Sequence, residues 1–485
     1  MHLFSALLLA AFSGTSTLPY APLQTSSAEH ERYSLREAWI GSIKVGPFEA
    51  VLQFRVEANT AGTTRAYFDS ISEKRTDMEA QWRIEGDELA FDVASVGATY
   101  RGRLNAARTR AEGRFNQGGR ERALTLERQT SVYQPAYSWE SRPQRPVAPF
   151  PYFAHEVQFD NVRDGLTLAG TLTIPDRAGR HPVVVLITGS GAQDRDETLL
   201  EHKPFLVLAD YLSRRGIAVL RYDDRGTASS SGNFSTATTA DFARDAAAAV
   251  DFLRDHARID PARIGLVGHS EGGLVAPLVA TEHKDVALVV LLAAPGVPGA
   301  TIVRAQSVSI ARAEGASEVS LNLQRAVTNA VLAVVEGAAP DKDLSSDIRR
   351  AVTELVASRS DEERVIAAAV RAEFLAQLPT FTTAWFRYFV RHDPRSVLER
   401  VHCPVLAVAG SNDVQVAPAS NLSEIGRALA RGGNADHQIV ELAGLNHMFQ
   451  ACESGAISKF VSIQETFNPV ALETIESWIA KHFLK

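Results

Sequence analysis

Residues 261–281 read PARIGLVGHSEGGLVAPLVAT and decide the fold of the larger part of the chain. An apolar, strand-like run (RIGLV) leads into Gly268, and a helix-like run follows Gly272. Between these glycines stands Ser270, on a sharp strand-to-helix turn where only small flanking residues fit. Such a turn exposes the serine oxygen at a helix N-terminus, whose partial positive charge favours a developing anion. A glycine-rich turn with an incidental serine is the alternative.

Near-continuous apolar runs recur on both sides of this turn and predict buried strands of a parallel sheet covered by helices. The runs lie at residues 182–187, 217–222, 263–268, 286–294, 404–410 and 437–442. Amphipathic stretches such as 239–256 separate them, so strands and helices alternate along residues 152–485. The sequence therefore predicts an α/β fold with a mostly parallel sheet in this region.

One interval in this alternation is too long for a loop. About 100 residues separate the strand ending near Ala294 from the strand beginning at Pro404, and unstructured loops of that length are uncommon. The interval is rich in Ala, Glu and Arg and has helical periodicity, for example at 319–336 and 361–377. We therefore expect a helical cap at residues 296–395.

The N-terminal part of the chain follows a different pattern. Residues 35–128 contain short segments of roughly alternating polarity, such as FEAVLQFRVE and ELAFDVA, separated by turn residues. This spacing is typical of a small barrel or sandwich, so we predict an all-β domain at 30–130. Prolines crowd the residues that follow, and because proline lacks an amide donor they predict an extended linker at 131–151. Stabilising, dimerising and substrate-gating roles for the β domain all stay open.

A serine hydroxyl is a weak nucleophile without a base, so Ser270 needs a histidine and an acid that orients it. Of the 13 histidines, His447 differs because it lies in the loop AGLNHMF, directly after the last strand-like run. Asp413 follows another such run, PVLAVAG, so both residues fall at carboxyl ends of strands, where Ser270 also lies. The order Ser, Asp, His is that of the α/β-hydrolase triad. A helix-capping Asx turn is the alternative role for Asp413.

The tetrahedral intermediate of acyl transfer also needs amide donors near the nucleophile. One should be the backbone N–H of Glu271, the residue after Ser270. The other should come from the turn after the strand PVVVLI, where glycines let the backbone approach a substrate oxygen. Ser190 is the first candidate donor and Gly191 the second. A plain strand-to-helix turn is the alternative.

Three further clusters each have two interpretations. Residues 193–197 (QDRDE) either hold the oxyanion loop through an ion pair or form a solvated charged loop. Residues 222–226 (YDDRG) follow the next strand and favour bracing of the site over catalysis, since no catalytic step lacks a residue. The aromatic residues at 381–389 have helical spacing, and they either form the core of the cap or line an acyl pocket.

Composition excludes several other classes of protein. With 45% hydrophobic and 22% charged residues, the chain has the balance of a globular protein rather than a disordered one. A net charge of −7 gives no basic surface for nucleic acid or anionic lipid. Beyond the N-terminal segment, no apolar run approaches the length of a membrane span. Two cysteines, Cys403 and Cys452, are too few for a disulfide scaffold or a cysteine-rich zinc site, and we expect free thiols.

The N-terminus carries a short apolar run at residues 3–13, LFSALLLAAFS. Its length suits the central region of a secretory signal peptide better than a membrane span. We therefore expect a signal peptide at 1–22 and a periplasmic or secreted protein, although no Lys or Arg precedes the run and no clear A-x-A site follows it. A buried N-terminal segment of a cytoplasmic protein is the alternative.

Together these motifs resemble the α/β-hydrolase superfamily, and more narrowly the two-domain bacterial carboxylesterases of the serine-aminopeptidase-like branch (EstD-like). The resemblance rests on GHSEGG, TGSGAQDRDE, RYDDRGTASSSG and AGLNHMFQ within residues 150–485, and on AWIGSI and YRGRLNA in the β region. It implies a triad of Ser270, Asp413 and His447 and the hydrolysis of short-chain acyl esters. Thr188 departs from the histidine common at the start of the family's oxyanion motif.

We therefore expect a serine hydrolase that cleaves carboxylic esters of small molecules. No metal or cofactor is needed, since general-base and electrostatic catalysis supply the rate. An aminopeptidase or amidase on the same fold is the first alternative; it would need a carboxylate for the substrate's amine, for which Glu373 in the cap is a candidate. A binding protein with a vestigial site is the second alternative. The sequence leaves a homo-oligomer open.

Overall fold

The computed structural model describes residues 33–45, 48–71, 75–117, 120–131, 142–339 and 342–484. These residues divide into two compact units, one ending at residue 131 and one beginning at residue 142. The expected signal peptide at 1–22 and the expected linker over residues 132–141 lie outside the described residues. Within the described ranges, no helix is long and apolar enough to cross a membrane.

The N-terminal unit is a closed antiparallel barrel of eight strands. The strands are β1 (Ser34–Val45), β2 (Phe48–Ala58), β3 (Thr64–Ser70), β4 (Arg75–Glu85), β5 (Glu88–Val93), β6 (Ala98–Leu104), β7 (Arg110–Gln117) and β8 (Arg120–Gln129). Each strand pairs with the next, and residues 38–40 of β1 pair with 127–129 of β8 to close the ring. Of the two predicted all-β architectures, the chain therefore forms the barrel.

Large aromatic side chains fill the interior of this barrel. Phe54 stacks on Phe91 with ring centroids 4.3 Å apart, and its centroid is 4.9 Å from that of Phe68. Trp39 and Tyr100 are buried with them. The alternating pattern of the sequence places these residues on one face of each strand, and closure turns that face inward.

The second unit is built on an eight-stranded sheet. Its strands are β9 (Tyr152–Asn161), β10 (Leu166–Pro175), β11 (His181–Ile187), β12 (Ala218–Tyr222), β13 (Ile259–His269), β14 (Val286–Leu292), β15 (Val405–Gly410) and β16 (His437–Leu442). Their order across the sheet is β16-β15-β14-β13-β11-β12-β10-β9. Strands β11 to β16 are mutually parallel, and β9 and β10 pair antiparallel at one edge. The predicted α/β fold with a mostly parallel sheet is confirmed.

The helices of this unit are α1 (Pro204–Ser213), α2 (Thr239–Arg254), α3 (Gly272–Glu282), α4 (Gly299–Ala313), α5 (Glu318–Gly337), α6 (Ser345–Ala357), α7 (Asp361–Ala376), α8 (Leu378–Phe381), α9 (Ala384–Arg391), α10 (Arg395–Leu398), α11 (Pro418–Arg431) and α12 (Pro469–Phe483). Some of them cover the two faces of the sheet. On one face, α2, α3 and α11 pack with Val183 and Val185; on the other, α1 and α12 pack with Val184 and Leu186. Alternate residues of β11 thus enter opposite cores, as expected for a strand buried on both faces.

Helices α4 to α9 lie between β14 and β15 in sequence and share a core of their own. Val327, Val331, Phe374 and Phe386 are among its buried residues. The helices run from Gly299 to Arg391, inside the 296–395 interval in which the sequence predicts a cap.

Residues 142–151, at the end of the proline-rich segment, are tied to the second unit. Gln144 Oε1 accepts the amides of Thr466 at 2.6 Å and Phe467 at 2.9 Å. Arg142 donates to the carbonyl of Leu200 at 2.8 Å. Polar side chains therefore give fixed partners to a stretch whose backbone, rich in proline, has few amide donors of its own.

The strand order places two turns side by side at the carboxyl edge of the sheet. The chain passes from β11 to β12 on one side, whereas β13 pairs with β11 on the other. In an open α/β sheet this reversal is where ligands bind. The turn after β11 carries Ser190 and the turn after β13 carries Ser270.

Candidate active site

The turn after β13 holds Ser270 in a left-handed backbone conformation, with a φ of 52°. This conformation is unfavourable for a residue that has a side chain, so the surroundings must impose it. A Cβ atom at Gly268 would meet the carbonyl oxygen of Gly272 at 2.0 Å, and one at Gly272 would meet that of Ile187 at 2.2 Å. The close approach of neighbouring backbone therefore requires glycine at both positions. Ser270 itself lies half-buried at the start of α3.

Asp413 and His447 are in direct contact. His447 Nδ1 lies 2.7 Å from Asp413 Oδ2, and both side chains are buried. The other oxygen of Asp413 accepts the amides of Gln415 and Val416, each at 2.8 Å. Asp413 thus forms an Asx turn and pairs with His447 at the same time, through different oxygens. Because Nδ1 faces a carboxylate it carries the ring proton, and Nε2 is the basic nitrogen.

A second carboxylate–histidine pair lies beside the first. Glu197 Oε1 is 2.8 Å from His269 Nδ1 and accepts the amide of Gly189 at 2.7 Å. His269 Nε2 donates to the backbone carbonyl of His447 at 3.0 Å, and the two imidazole centroids are 4.8 Å apart. This pair therefore connects the turn after β11, the residue before Ser270 and the loop that carries His447.

Both ring nitrogens of His269 face acceptors, so the hydrogen bonds require the doubly protonated, charged ring. Burial alone lowers the pKa of His269. The charge and hydrogen bond of Glu197, together with the carbonyl of His447 and the charge of Asp413, outweigh this effect, and the pKa of His269 lies above its usual value. The site therefore contains a buried ion pair next to the candidate nucleophile.

The turn after β11, which carries the candidate oxyanion donors, is held by hydrogen bonds to the carboxylates of Glu197 and Asp224. The amide of Gly189 already donates to a carboxylate, so it is not available to a substrate oxygen. Thr188 Oγ1 donates to Asp224 Oδ1 at 2.8 Å, and burial raises the pKa of Asp224 well above its usual value. The next amides along this turn belong to Ser190 and Gly191, the two candidates from the sequence.

The charged residues after β11 and β12 bind each other across two loops. Arg195 donates to Asp223 through Nε at 3.0 Å and through Nη2 at 2.8 Å. Asp196 pairs with Arg221 of β12 and with Lys203, the latter at 2.8 Å. The ion pairs of residues 193–197 thus join this loop to β12 and its neighbours, and they brace the turn after β11.

The aromatic residues of the cap divide between two surroundings. Phe381 and Phe386 are fully buried in the cap core. Trp385 is half-buried, and its Nε1 donates to the Glu271 carboxylate at 2.8 and 2.9 Å from the two oxygens. Because Glu271 directly follows Ser270, this bond brings a residue of the cap to the candidate nucleophile.

Other candidate residues lie elsewhere. Cys403 and Cys452 are free thiols, and burial raises the pKa of Cys403 to about 11. Glu373, the candidate for an amine site, lies in α7 of the cap. Among the described residues, no group of three or more His, Cys, Asp or Glu side chains is arranged to hold a metal ion.

The strand order, the strained turn after β13 and the acid–histidine pair after β15 and β16 together define an α/β hydrolase. Residues 202–452, more than half of the chain, match the family model for serine aminopeptidase, S33. The chain therefore belongs to this family of α/β hydrolases.

Individual proteins match parts of different length. Over 131 residues the chain is 37% identical to esterase EstD of Thermotoga maritima, a match that covers 27% of this chain and 31% of that enzyme. The solved structure of the α/β hydrolase GrgF from Penicillium sp. sh18 covers 69% of this chain and 100% of its own, with 16% identity and a TM-score of 0.42. The esterase Pf2001 of Pyrococcus furiosus covers 73% of this chain and 97% of its own, with 13% identity and a TM-score of 0.40.

Two features of the site are not identified by the sequence patterns. The motifs contain Glu197 and His269 without pairing them, and Glu271 is singled out for its amide rather than its carboxylate. The one available signal is that a histidine between a buried strand and a helix needs polar partners. The identity of those partners depends on tertiary structure.

Proposed function

We propose that this chain hydrolyses carboxylic esters through an acyl-enzyme intermediate, with Ser270 as the nucleophile. The proposal depends on one observation: His447 Nδ1 lies 2.7 Å from Asp413 Oδ2. The loop that carries His447 is also hydrogen-bonded to His269, the residue before Ser270. Membership of a hydrolase family supports bond hydrolysis, and the similarity to a protein named as an esterase supports the ester bond. Short-chain acyl groups are the proposed preference, from the resemblance of the motifs.

In acylation, Ser270 Oγ attacks the ester carbonyl carbon while His447 Nε2 takes the hydroxyl proton. Asp413 holds the other ring nitrogen and stabilises the imidazolium that forms. The oxyanion is bound by the backbone N–H of Glu271 and by that of Ser190 or Gly191. The carbon–oxygen bond to the alcohol then breaks, His447 returns its proton to the departing oxygen, and the acyl group stays on Ser270.

Deacylation repeats these steps with water. His447 takes a proton from water as the water oxygen attacks the acyl-serine carbonyl, and the same amides bind the second oxyanion. The bond to Ser270 Oγ breaks, the serine recovers its proton from His447, and the carboxylic acid leaves. Every proton and leaving group in this cycle has an assigned residue.

The test is a series of p-nitrophenyl esters, acetate through decanoate, with wild type and Ser270→Ala side by side. We expect turnover by wild type that is fastest for short chains, and a loss of at least about 10⁴-fold in the variant. Ser477→Ala, an exposed serine of α12, is the matched control and should keep full activity. Undiminished turnover by Ser270→Ala would refute the proposal.

An aminopeptidase or amidase is the second candidate, because the matching family model describes serine aminopeptidases. Such an enzyme needs a carboxylate for the free amine of its substrate, and Glu373 is the candidate in the cap. The carboxylate next to Ser270, that of Glu271, already accepts hydrogen bonds from Thr239 and Trp385. Faster cleavage of aminoacyl p-nitroanilides than of aryl esters would favour this candidate, and a wild type inactive on both would favour a binding protein.

A further inference from the structure

The side chain of Glu271 has no part in the cycle above, which uses only its backbone amide. Its carboxylate is nevertheless buried, with the residue 2% exposed. Thr239 Oγ1 of α2 donates to Oε1 at 2.6 Å, and Trp385 Nε1 of α9 donates to both oxygens. The Ser190 hydroxyl, in the turn after β11, lies near enough to the same carboxylate to lower the pKa of that group. One buried group thus contacts a core helix, the cap and the oxyanion turn.

This carboxylate is held by neutral donors. Among the described residues, no Lys, Arg or His forms an ion pair with Glu271, and burial raises the pKa of its carboxyl above the usual value. A buried carboxylate is costly unless its oxygens are well hydrogen-bonded, so the hydrogen bonds from Thr239 and Trp385 matter to its placement. A movement of the Trp385 indole N–H would therefore displace the carboxylate and the other groups that are hydrogen-bonded to it.

We propose that Glu271 is a positioning residue that couples the cap to the oxyanion turn. Trp385 fixes the carboxylate from the side of the cap, and the carboxylate fixes Ser190, whose backbone is a candidate oxyanion donor. The inference rests on the proposed esterase function. Its consequence is that a residue of the cap affects the turnover of an ester whose acyl group is too small to depend on contacts with the cap.

Amine binding is the competing role for a carboxylate at this place. Thr239 and Trp385 already donate three hydrogen bonds to its two oxygens, and these leave little capacity for an ammonium group. The geometry therefore favours positioning over recognition of a charged substrate.

The experiment is a double-mutant cycle on p-nitrophenyl acetate with Trp385→Phe and Ser190→Ala. The first removes the indole N–H together with the five-membered ring that carries it, and the second removes only the hydroxyl, so both backbones are kept. We expect each to lower kcat about 10-fold, the lower end for a hydrogen bond to a charged group, with KM changed less than about twofold. The double variant should lose clearly less than the product of the two, because both act through one carboxylate.

Two further variants make the cycle specific. Trp82→Phe is the matched control, since it removes an indole N–H that donates to Thr64 Oγ1 at 3.3 Å in the barrel; its kcat should equal that of wild type. Glu271→Gln keeps the shape of the side chain and one acceptor oxygen, so it should fold. Its kcat should lie between that of wild type and that of the double variant. Thermal unfolding of each variant separates a loss of fold from a loss of turnover.

A Trp385→Phe variant altered only in KM, or a double variant with the full product of the two losses, would overturn the inference. Loss of activity in Glu271→Gln on aminoacyl substrates alone would assign amine binding instead. Absence of Ser270-dependent ester turnover in wild type would refute the proposed function and not the coupling. The cycle would then use the rate at which a fluorophosphonate labels Ser270, with the same expected non-additivity.

Discussion

Replacing Asp413 with asparagine separates its two roles, because each of its oxygens has a different partner. Oδ1 accepts the amides of Gln415 and Val416, and Oδ2 faces His447 Nδ1. Asparagine has only one carbonyl oxygen. If that oxygen keeps the Asx turn, the side-chain NH₂ group donates to Nδ1, the ring proton moves to Nε2, and the ring cannot accept a proton from Ser270.

The opposite orientation of the asparagine would break two backbone hydrogen bonds. At about 1 kcal/mol each, these favour the inactive orientation by about 2 kcal/mol, or roughly 30-fold. We therefore expect Asp413→Asn to lower kcat on p-nitrophenyl acetate by at least about 30-fold, and by up to about 10⁴-fold, the loss that a wrong tautomer causes in a serine triad. Its free energy of unfolding in urea should stay near that of wild type, whereas Asp413→Ala should lose both activity and stability. Activity within tenfold of wild type, or a large loss of stability in Asp413→Asn, would show that the two oxygens of Asp413 do not have these separate roles.

The remaining predictions concern the buried ion pair and the strained turn. Glu197→Gln leaves the charge of His269 unbalanced and should lower the free energy of unfolding in urea by about 3 kcal/mol, the lower end for a broken buried pair; a loss below about 1 kcal/mol would contradict a buried pair. Because the pKa of His269 is raised on folding, the pair stabilises the fold fully below about pH 6.5 and loses this effect as the pH rises through the raised value. The difference in unfolding free energy between wild type and Glu197→Gln should therefore shrink at alkaline pH, and a constant difference would count against the ion pair. Ser270→Gly should be inactive, like Ser270→Ala. Its free energy of unfolding should exceed that of wild type by about 1 kcal/mol, since glycine adopts a φ of 52° without strain. A urea midpoint equal to that of wild type would show that the turn is unstrained.

Local patterns predict most of the sheet, because a strand buried on both faces must be apolar throughout. That rule finds β11, whose residues are all buried, and it fails for β9. β9 lies at the edge of the sheet and alternates with many exposed positions, so its apolar content is too low to stand out. From the sequence, the architecture of the N-terminal β domain could be predicted only as a barrel or a sandwich. Closure of the barrel depends on the pairing of β1 with β8, which are far apart in sequence.

The candidate site shows the same division between local and tertiary information. Ser270, Asp413 and His447 are each marked by a strand end, and the structure brings Asp413 and His447 into contact. Glu197 and His269 are 72 residues apart, so nothing in the local sequence pairs them. Trp385 and Phe386 are neighbours in sequence, but one turns toward Glu271 and the other into the cap core, because successive residues of a helix point in directions about 100° apart.

The most direct test of the proposed mechanism is to locate the activated serine that would carry the acyl group. Wild type and Ser270→Ala would each react with a fluorophosphonate, which labels only an activated serine, and the labelled peptides would be mapped by mass spectrometry. We expect one adduct, on Ser270, with loss of ester turnover in proportion to labelling and no adduct in the variant. Ester turnover that continues without an adduct on Ser270, or labelling of a different serine that abolishes activity, would contradict it.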